Sequence, residues 1–310
     1  MHRRHFLAAA GAIGLTGLAR SAAAAAEPVM AEVSDDGLTG RFFAAPGMKD
    51  RPAVLLLGGS GGGFQPNADA MDLARAGFPV LTLAYFKGFQ QNLPDRLPAQ
   101  LKDIPLEYFF KAIDWLKARP EVADRKVVVM GESRGGELSL LLAAHRPDLA
   151  GVIAFVPSHV VWGAVAPEGA AWTLEGKPLT FLDSTYVPKE PMSLAFIRAL
   201  DGPAAAVEAA AIPVEKIRGR ILLLSTEADG LWPSTRMADA VMARLEAKRW
   251  RGKRDHIRYP DASHLMMGTG PGITKMGSGA YAIDFGGTAE GTATARADAW
   301  ARVKAFLGEV

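Results

Sequence analysis

Lys126-Val127-Val128-Val129-Met130-Gly131-Glu132-Ser133-Arg134-Gly135-Gly136-Glu137-Leu138-Ser139-Leu140-Leu141-Leu142-Ala143-Ala144-His145 is the stretch whose reading decides the fold. An apolar run comes first, at 126–130. A Gly-x-Ser-x-Gly turn follows, and a helix-like run covers 137–145. A serine on a tight strand-to-helix turn projects its hydroxyl above a sheet, which is the arrangement of a nucleophile elbow. Side chains beside such a turn would collide with the neighbouring strand and helix, so those positions call for glycine. An ordinary serine in a Gly-rich turn is the bland alternative. The rest of the chain must therefore supply a base, an acid and an oxyanion hole.

Working outward, apolar strands alternate with helical stretches. Before the elbow, Glu32-Val33 and Leu38–Ala44 form a hairpin around Asp36-Gly37. Ala53–Leu57 and Pro79–Tyr85 read as strands. Asn67–Ala76 and Leu106–Ala118 read as helices, the second with an apolar stripe at helical spacing. After it come strands at Gly151–Val156, Arg220–Thr226 and His256–Tyr259. Ser234 is placed to cap a helix over Thr235–Lys248. A Gly- and Thr-rich loop over 268–294 precedes a closing helix, Ala295–Leu307. Unbroken apolar strands are buried on both faces, so the pattern predicts an α/β fold with a mostly parallel, doubly wound sheet. Ligands of such sheets bind beyond the carboxyl ends of the strands.

The regularity lapses between Pro157 and about Gly219, apart from an Ala-rich helix near 203–211. A loop-rich insertion of that length, after a strand end, is expected to sit over the site. Trp162, Trp172 and Phe181 either line an acyl pocket there or pack the insertion down.

Composition narrows the function classes. The 310 residues are 49% hydrophobic and 22% charged, with a formal net charge of +2. No block of like charge indicates nucleic acid or an acidic membrane surface. Absence of cysteine excludes disulfides, a thiolate nucleophile and cysteine metal ligands. Neither a metal nor an organic cofactor is implied. Residues 1–26 have the layout of a signal peptide: Arg3-Arg4 with Phe6-Leu7, a short apolar middle, then Ala24-Ala25-Ala26. The paired arginines predict a twin-arginine leader and its export machinery as a partner, with a periplasmic or secreted product. Without Arg3, Arg4 and Arg20 the remainder holds 32 basic against 33 acidic residues. Residues 27–310 then read as one domain with no stable membrane insertion.

Three residues meet the requirements of the elbow in chain order. Ser133, then Asp229 after the strand at 220–226, then His264 after the strand at 256–259 follow the Ser, Asp/Glu, His order of α/β-hydrolases. Glu227 and Asp261 compete with Asp229. His256 lies inside a strand, and His159 precedes the acid. The Gly58–Gly63 run fits no phosphate-binding register. It suits an oxyanion loop instead, with Ser60 or Gly61 supplying one N–H and Arg134 the other. Gly61 is also a candidate substrate contact. Glu132 is either a partner for Arg134 or a substrate contact.

Several stretches resemble the carboxyl-terminal catalytic domain of the acyl-CoA thioesterase and bile acid-CoA:amino acid N-acyltransferase family. They are Leu56–Gly62, Ile104–Phe109, Gly131–Glu137, Val156–Trp162, Asp229–Ser234, Ser263–Leu265 and Phe285–Thr288, with Trp300. The resemblance covers most of residues 50–308. It implies an α/β-hydrolase fold, with the family's Ser/Cys–Asp–His triad on Ser133, Asp229 and His264. The acyltransferase branch uses cysteine, so serine here favours hydrolysis. Coenzyme A is a cytoplasmic thiol, which an exported enzyme meets rarely. The expectation is thus an exported serine hydrolase of a small-molecule carboxylic ester or thioester. An acyl-CoA thioesterase or acyltransferase proper, or a catalytically silent binding protein on this fold, are the alternatives.

Overall fold

The structure is a computed structural model, and it describes residues 26–165, 168–278 and 282–310. The leader reading therefore lies, but for Ala26, outside the described residues. Among the described residues thirteen strands occur in chain order: β1 (Val29–Val33), β2 (Gly40–Ala44), β3 (Arg51–Leu57), β4 (Val80–Leu83), β5 (Ile104–Pro105), β6 (Val122–Glu132), β7 (Gly151–Phe155), β8 (Trp172–Leu174), β9 (Lys177–Pro178), β10 (Arg220–Thr226), β11 (Arg254–Tyr259), β12 (Lys275–Met276) and β13 (Ile283–Asp284). The helices are α1 (Asn67–Arg75), α2 (Leu106–Lys117), α3 (Arg134–His145), α4 (Met192–Leu200), α5 (Ala204–Ala209), α6 (Ser234–Ala247) and α7 (Ala289–Gly308).

Eight strands make the central sheet, in the order β1-β2-β4-β3-β6-β7-β10-β11. β2 runs antiparallel to both of its neighbours, and the six strands from β4 to β11 are parallel. The sheet is covered on both faces because alternate residues of its strands point to opposite sides. Leu55, Leu57, Val127 and Val129 pack with Leu106, Phe109 and Leu138 on one face. Val54, Leu56, Val128 and Met130 pack with Leu73, Ala299 and Trp300 on the other. This doubly wound α/β arrangement brings the ends of β3, β6, β7, β10 and β11 to one rim, where the site sits.

Three helix expectations shift. Ser234 does not cap α6; Pro233 takes that position, and the Ser234 hydroxyl bonds back to the Thr226 carbonyl at 3.2 Å. α7 starts six residues before the expected Ala295. The Thr288 side chain accepts from the Gly291 N–H at 3.0 Å and so caps a helix through Gly291 and Thr292, which read as loop in sequence. α4 was hidden among prolines; Pro191 precedes it and its apolar side packs on the insertion's own cluster. Among the described residues no helix is long and apolar enough to cross a membrane.

Candidate active site

Ser133 connects β6 to α3 with φ 60° and ψ −124°, a backbone conformation rarely adopted by residues bearing a side chain. Its N–H bonds the Phe155 carbonyl of β7 at 3.0 Å. The turn is held this tightly because its glycines leave no room for anything larger. A Cβ on Gly131 would meet the Gly135 carbonyl oxygen at 2.4 Å, and one on Gly135 would meet the Gly58 and Leu57 carbonyl oxygens at 2.6 and 2.7 Å. The sequence reading of the flanking glycines is thus a matter of backbone against backbone, which no rotamer can relieve.

Asp229 and His264 come together from the loops after β10 and β11. His264 Nδ1 lies 2.9 Å from Asp229 Oδ1 and 3.0 Å from Oδ2. The N–H groups of Leu231 and Trp232 also donate to Oδ1, at 3.0 and 3.1 Å. Both side chains of the pair are almost wholly buried. The carboxylate fixes the tautomer with the proton on Nδ1, so Nε2 is the basic nitrogen. Nε2 is buried and hydrogen-bonds nothing among the described residues. Burial pushes the His264 imidazole down, but the charge and hydrogen bond of Asp229, aided by Glu132, outweigh it and hold the pKa above the ordinary histidine value.

Ser133 and His264 line the same cavity, about 760 Å³ in volume, and Ser60 and Arg134 line it with them. The Ser60 N–H makes no backbone hydrogen bond among the described residues. The Arg134 N–H opens α3, where the first N–H groups of a helix have no intrahelical partner. Gly61, expected at the substrate, is not on the cavity wall; its carbonyl accepts from the Phe89 N–H at 3.0 Å.

Trp162 and Trp172 are corrections as well. Both are essentially fully buried and neither lines the cavity. Indole N–H groups need partners when buried. That of Trp172 donates to Glu137 Oε1 at 2.8 Å, and that of Trp162 to Ser158 Oγ at 2.9 Å. Glu137, to which the sequence reading assigns no role, organises this region. Its Oε2 lies 3.0 Å from Arg134 Nε inside the first turn of α3. The same guanidinium donates to the Gly163 and Trp162 carbonyls, both at 2.9 Å. The elbow helix is thereby tied to the insertion, which supplies Val165, Tyr186, Met192 and Phe196 to the cavity wall. A chain of edge-on aromatic contacts runs from Trp162 through Phe196 and Trp232 to His264, with centroids 4.8, 5.5 and 5.6 Å apart.

Neither reading of Glu132 matches its place. Glu132 Oε1 accepts from the Met267 N–H at 2.6 Å, joining the elbow to the loop that carries His264. Burial pushes its pKa up to about 7, against the pull of His264 and the Met267 N–H.

One further segment holds the acid and the base. The Phe285 carbonyl accepts the N–H of Gly230 at 3.0 Å and that of His264 at 2.8 Å. Gly286, at φ 76°, lies so close that a Cβ would stand 1.9 Å from the Ala228 carbonyl oxygen. Sequence periodicity could not reveal this clamp, because it is made of irregular backbone.

A second serine, histidine and aspartate line up elsewhere. Ser225 Oγ lies 2.7 Å from His256 Nε2, and His256 Nδ1 lies 3.3 Å from Asp239 Oδ1. Ser225, however, is fully buried inside β10, bonds Thr235 as well, and lines no part of the cavity that Ser133 and His264 share. This chain braces α6 against the sheet. Among the described residues no group of three His, Cys, Asp or Glu is placed to hold a metal ion.

Comparison with known proteins follows the same rim of the sheet. A family model described as BAAT / acyl-CoA thioester hydrolase C terminal matches residues 104–310. Acyl-coenzyme A thioesterase 2, mitochondrial, of Mus musculus is 29% identical over 315 residues, covering 99% of this chain and 62% of the relative. Acyl-coenzyme A amino acid N-acyltransferase 1 of Mus musculus is 28% identical over 249 residues, covering 76% of this chain and 53% of the relative. The chain thus spans about three fifths of the length of the thioesterase it resembles. Among solved structures, a dienelactone hydrolase-like promiscuous phosphotriesterase from metagenomic libraries matches with a TM-score of 0.52 at 19% identity, covering 88% of this chain and 92% of that one. An esterase from Pyrobaculum calidifontis matches with a TM-score of 0.51 at 17% identity, covering 91% and 83%. At such identities the likeness is one of fold, the α/β-hydrolase fold.

Proposed function

The chain belongs to the BAAT / acyl-CoA thioester hydrolase C-terminal family, and from that premise we propose that it is a serine-dependent hydrolase of carboxylic esters or thioesters. One observation carries the proposal. A serine held at φ 60° and ψ −124° faces the same cavity as a histidine whose Nδ1 is bound by a buried aspartate and whose Nε2 is unpartnered.

In the proposed mechanism His264 Nε2 takes the Ser133 hydroxyl proton as Oγ attacks the acyl carbonyl. The tetrahedral oxyanion accepts from the backbone N–H groups of Arg134 and Ser60. His264 then protonates the departing alcohol or thiol, leaving an acyl-Ser133 ester. A water deprotonated by the same nitrogen attacks this ester and releases the acid. Asp229 holds the imidazole in the required tautomer and stabilises its cation throughout. The Ser133–His264 hydrogen bond, which is not formed in the structure, closes when substrate occupies the cavity, as happens at many free catalytic sites.

The test is labelling with a fluorophosphonate followed by peptide mapping, together with turnover of p-nitrophenyl esters. An adduct on Ser133 and loss of both labelling and turnover in Ser133→Ala are expected. An unlabelled, inactive wild type leaves a binding protein on this fold as the reading. Export through residues 1–26 is proposed on their sequence alone, and fractionation of cells expressing the full chain checks it. Retention of Arg3→Lys/Arg4→Lys in the cytoplasm is the expected result.

A further inference from the structure

The cavity wall has two chemical halves. Val165, Tyr186, Met192, Phe196, Leu231 and Trp232 offer an apolar surface suited to an acyl chain. The other half carries charge of one sign. Glu168 and Asp183 line the cavity, both are exposed, and neither carboxylate is in an ion pair among the described residues. Asp183 packs on the insertion beside the elbow helix's anchor: its Oδ1 would lie 2.7 Å from a Cβ on Gly163, the residue whose carbonyl receives the Arg134 guanidinium.

Among the described residues no uncommitted Lys or Arg on the wall balances these two acids. Arg134 is the only Lys or Arg among the lining residues, and its guanidinium is committed to Glu137, Gly163 and Trp162. The Lys102 ammonium bonds the backbone carbonyl of Glu168 at 2.8 Å and is not on the wall. Arg198 of the insertion pairs with Glu190 at 2.5 Å, and Lys177, Lys189, Lys216 and Arg218 line no part of the cavity. Beyond residue 26, the undescribed positions 166–167 and 279–281 are Ala, Pro, Gly, Ala and Tyr, none of which carries a positive charge.

Phosphate-bearing ligands are normally met by Arg or Lys forks or by helix N-termini. Two exposed carboxylates on the wall of a largely apolar cavity repel them, more strongly than in bulk water because the neighbouring walls have low dielectric. Resting on the hydrolase reading above, we propose that this cavity selects acyl donors whose leaving alcohol or thiol is uncharged, and disfavours nucleotide thioesters such as acyl-coenzyme A. The bond broken is still the acyl C–S or C–O bond, with the proton of Ser133 passing through His264 to the departing atom.

The experiment compares one acyl chain on three thiols, N-acetylcysteamine, pantetheine and coenzyme A, and on o-nitrophenol against its ring-sulfonated counterpart. At low ionic strength kcat/KM for the uncharged leaving groups is expected to exceed that for the anionic ones by roughly tenfold or more. The gap should narrow in 0.5 M salt and again in Glu168→Gln/Asp183→Asn, since both changes weaken the same repulsion. Equal or faster turnover of the anionic members, or a gap indifferent to salt and to the double variant, overturns the proposal. Absence of turnover with every ester and thioester is a different result and removes the hydrolase reading itself.

Discussion

Asp229 grips the Nδ1 edge of His264 with both carboxylate oxygens, at 2.9 and 3.0 Å, while two backbone N–H groups hold one of those oxygens in place. The imidazole therefore has its orientation and its tautomer decided before any substrate arrives. Asp229→Asn keeps the shape of the side chain but can present an amide N–H to Nδ1, which favours the opposite tautomer. A fall in kcat/KM of about a thousandfold to ten-thousandfold is expected, with the thermal transition little changed. A loss smaller than tenfold would remove Asp229 from the mechanism.

The proximity of Glu132 to His264 gives a signed pH prediction. Hydrolysis needs neutral His264, and the imidazole's pKa is held above its ordinary value, so the acid limb of kcat/KM lies above about 6.5. Glu132→Gln removes one of the negative charges that favour the imidazolium. The base then stays neutral to lower pH, and the limb moves down. A limb that stays put or moves up refutes this role for Glu132.

Burial of the Arg134–Glu137 pair makes its two halves unequal to the whole. Glu137→Gln leaves a buried guanidinium without its counter-charge and is expected to cost about 3–5 kcal/mol in denaturant unfolding. Arg134→Met/Glu137→Leu removes both charges and should recover a large part of that loss. Additive destabilisation in the double variant would argue against a coupled pair.

Gly286→Ala tests the clamp. The new methyl group would overlap the Ala228 carbonyl, and the position has φ 76°. The loop carrying Asp229 must move to admit it. A drop in kcat of at least about tenfold, alongside a loss of about 1–3 kcal/mol in stability, is expected. Wild-type turnover would show that the 285–287 segment does not position the acid.

These residues also show which signals a sequence carries and which it does not. Most parallel strands were legible because each contains a short apolar run, as Ala53–Leu57 and Ile221–Leu224 do, although the edge strand β11 does not; the elbow was legible because backbone crowding leaves glycine no substitute. Asp229 and His264 could be picked out because both follow strands, in the order the fold imposes. Trp162 and Trp172 were ambiguous: an aromatic at an insertion looks alike in sequence whether it lines a cavity or packs beneath one, and only the partners of its N–H distinguish the two. Glu137 escaped attention because a carboxylate in a helix usually faces water. Its burial depends on Arg134 and on two indoles or amides from a segment some 25 to 35 residues away. α4 and the first turn of α7 were masked by proline, glycine and threonine nearby, residues of low propensity for a helix interior.

The grip of the Phe285 carbonyl on both Gly230 and His264 has a consequence in time. A nascent chain that has emerged only as far as the loop after β11 already holds Ser133, Asp229 and His264. It lacks the peptide group that fixes the last two against each other, which follows 21 residues after His264. The two loops are joined late, by a segment that is itself anchored by the capped start of α7. The Asp229–His264 pair is thus locked by a segment that lies beyond both of its loops in the chain, so its geometry is complete only once the residues after His264 are in place.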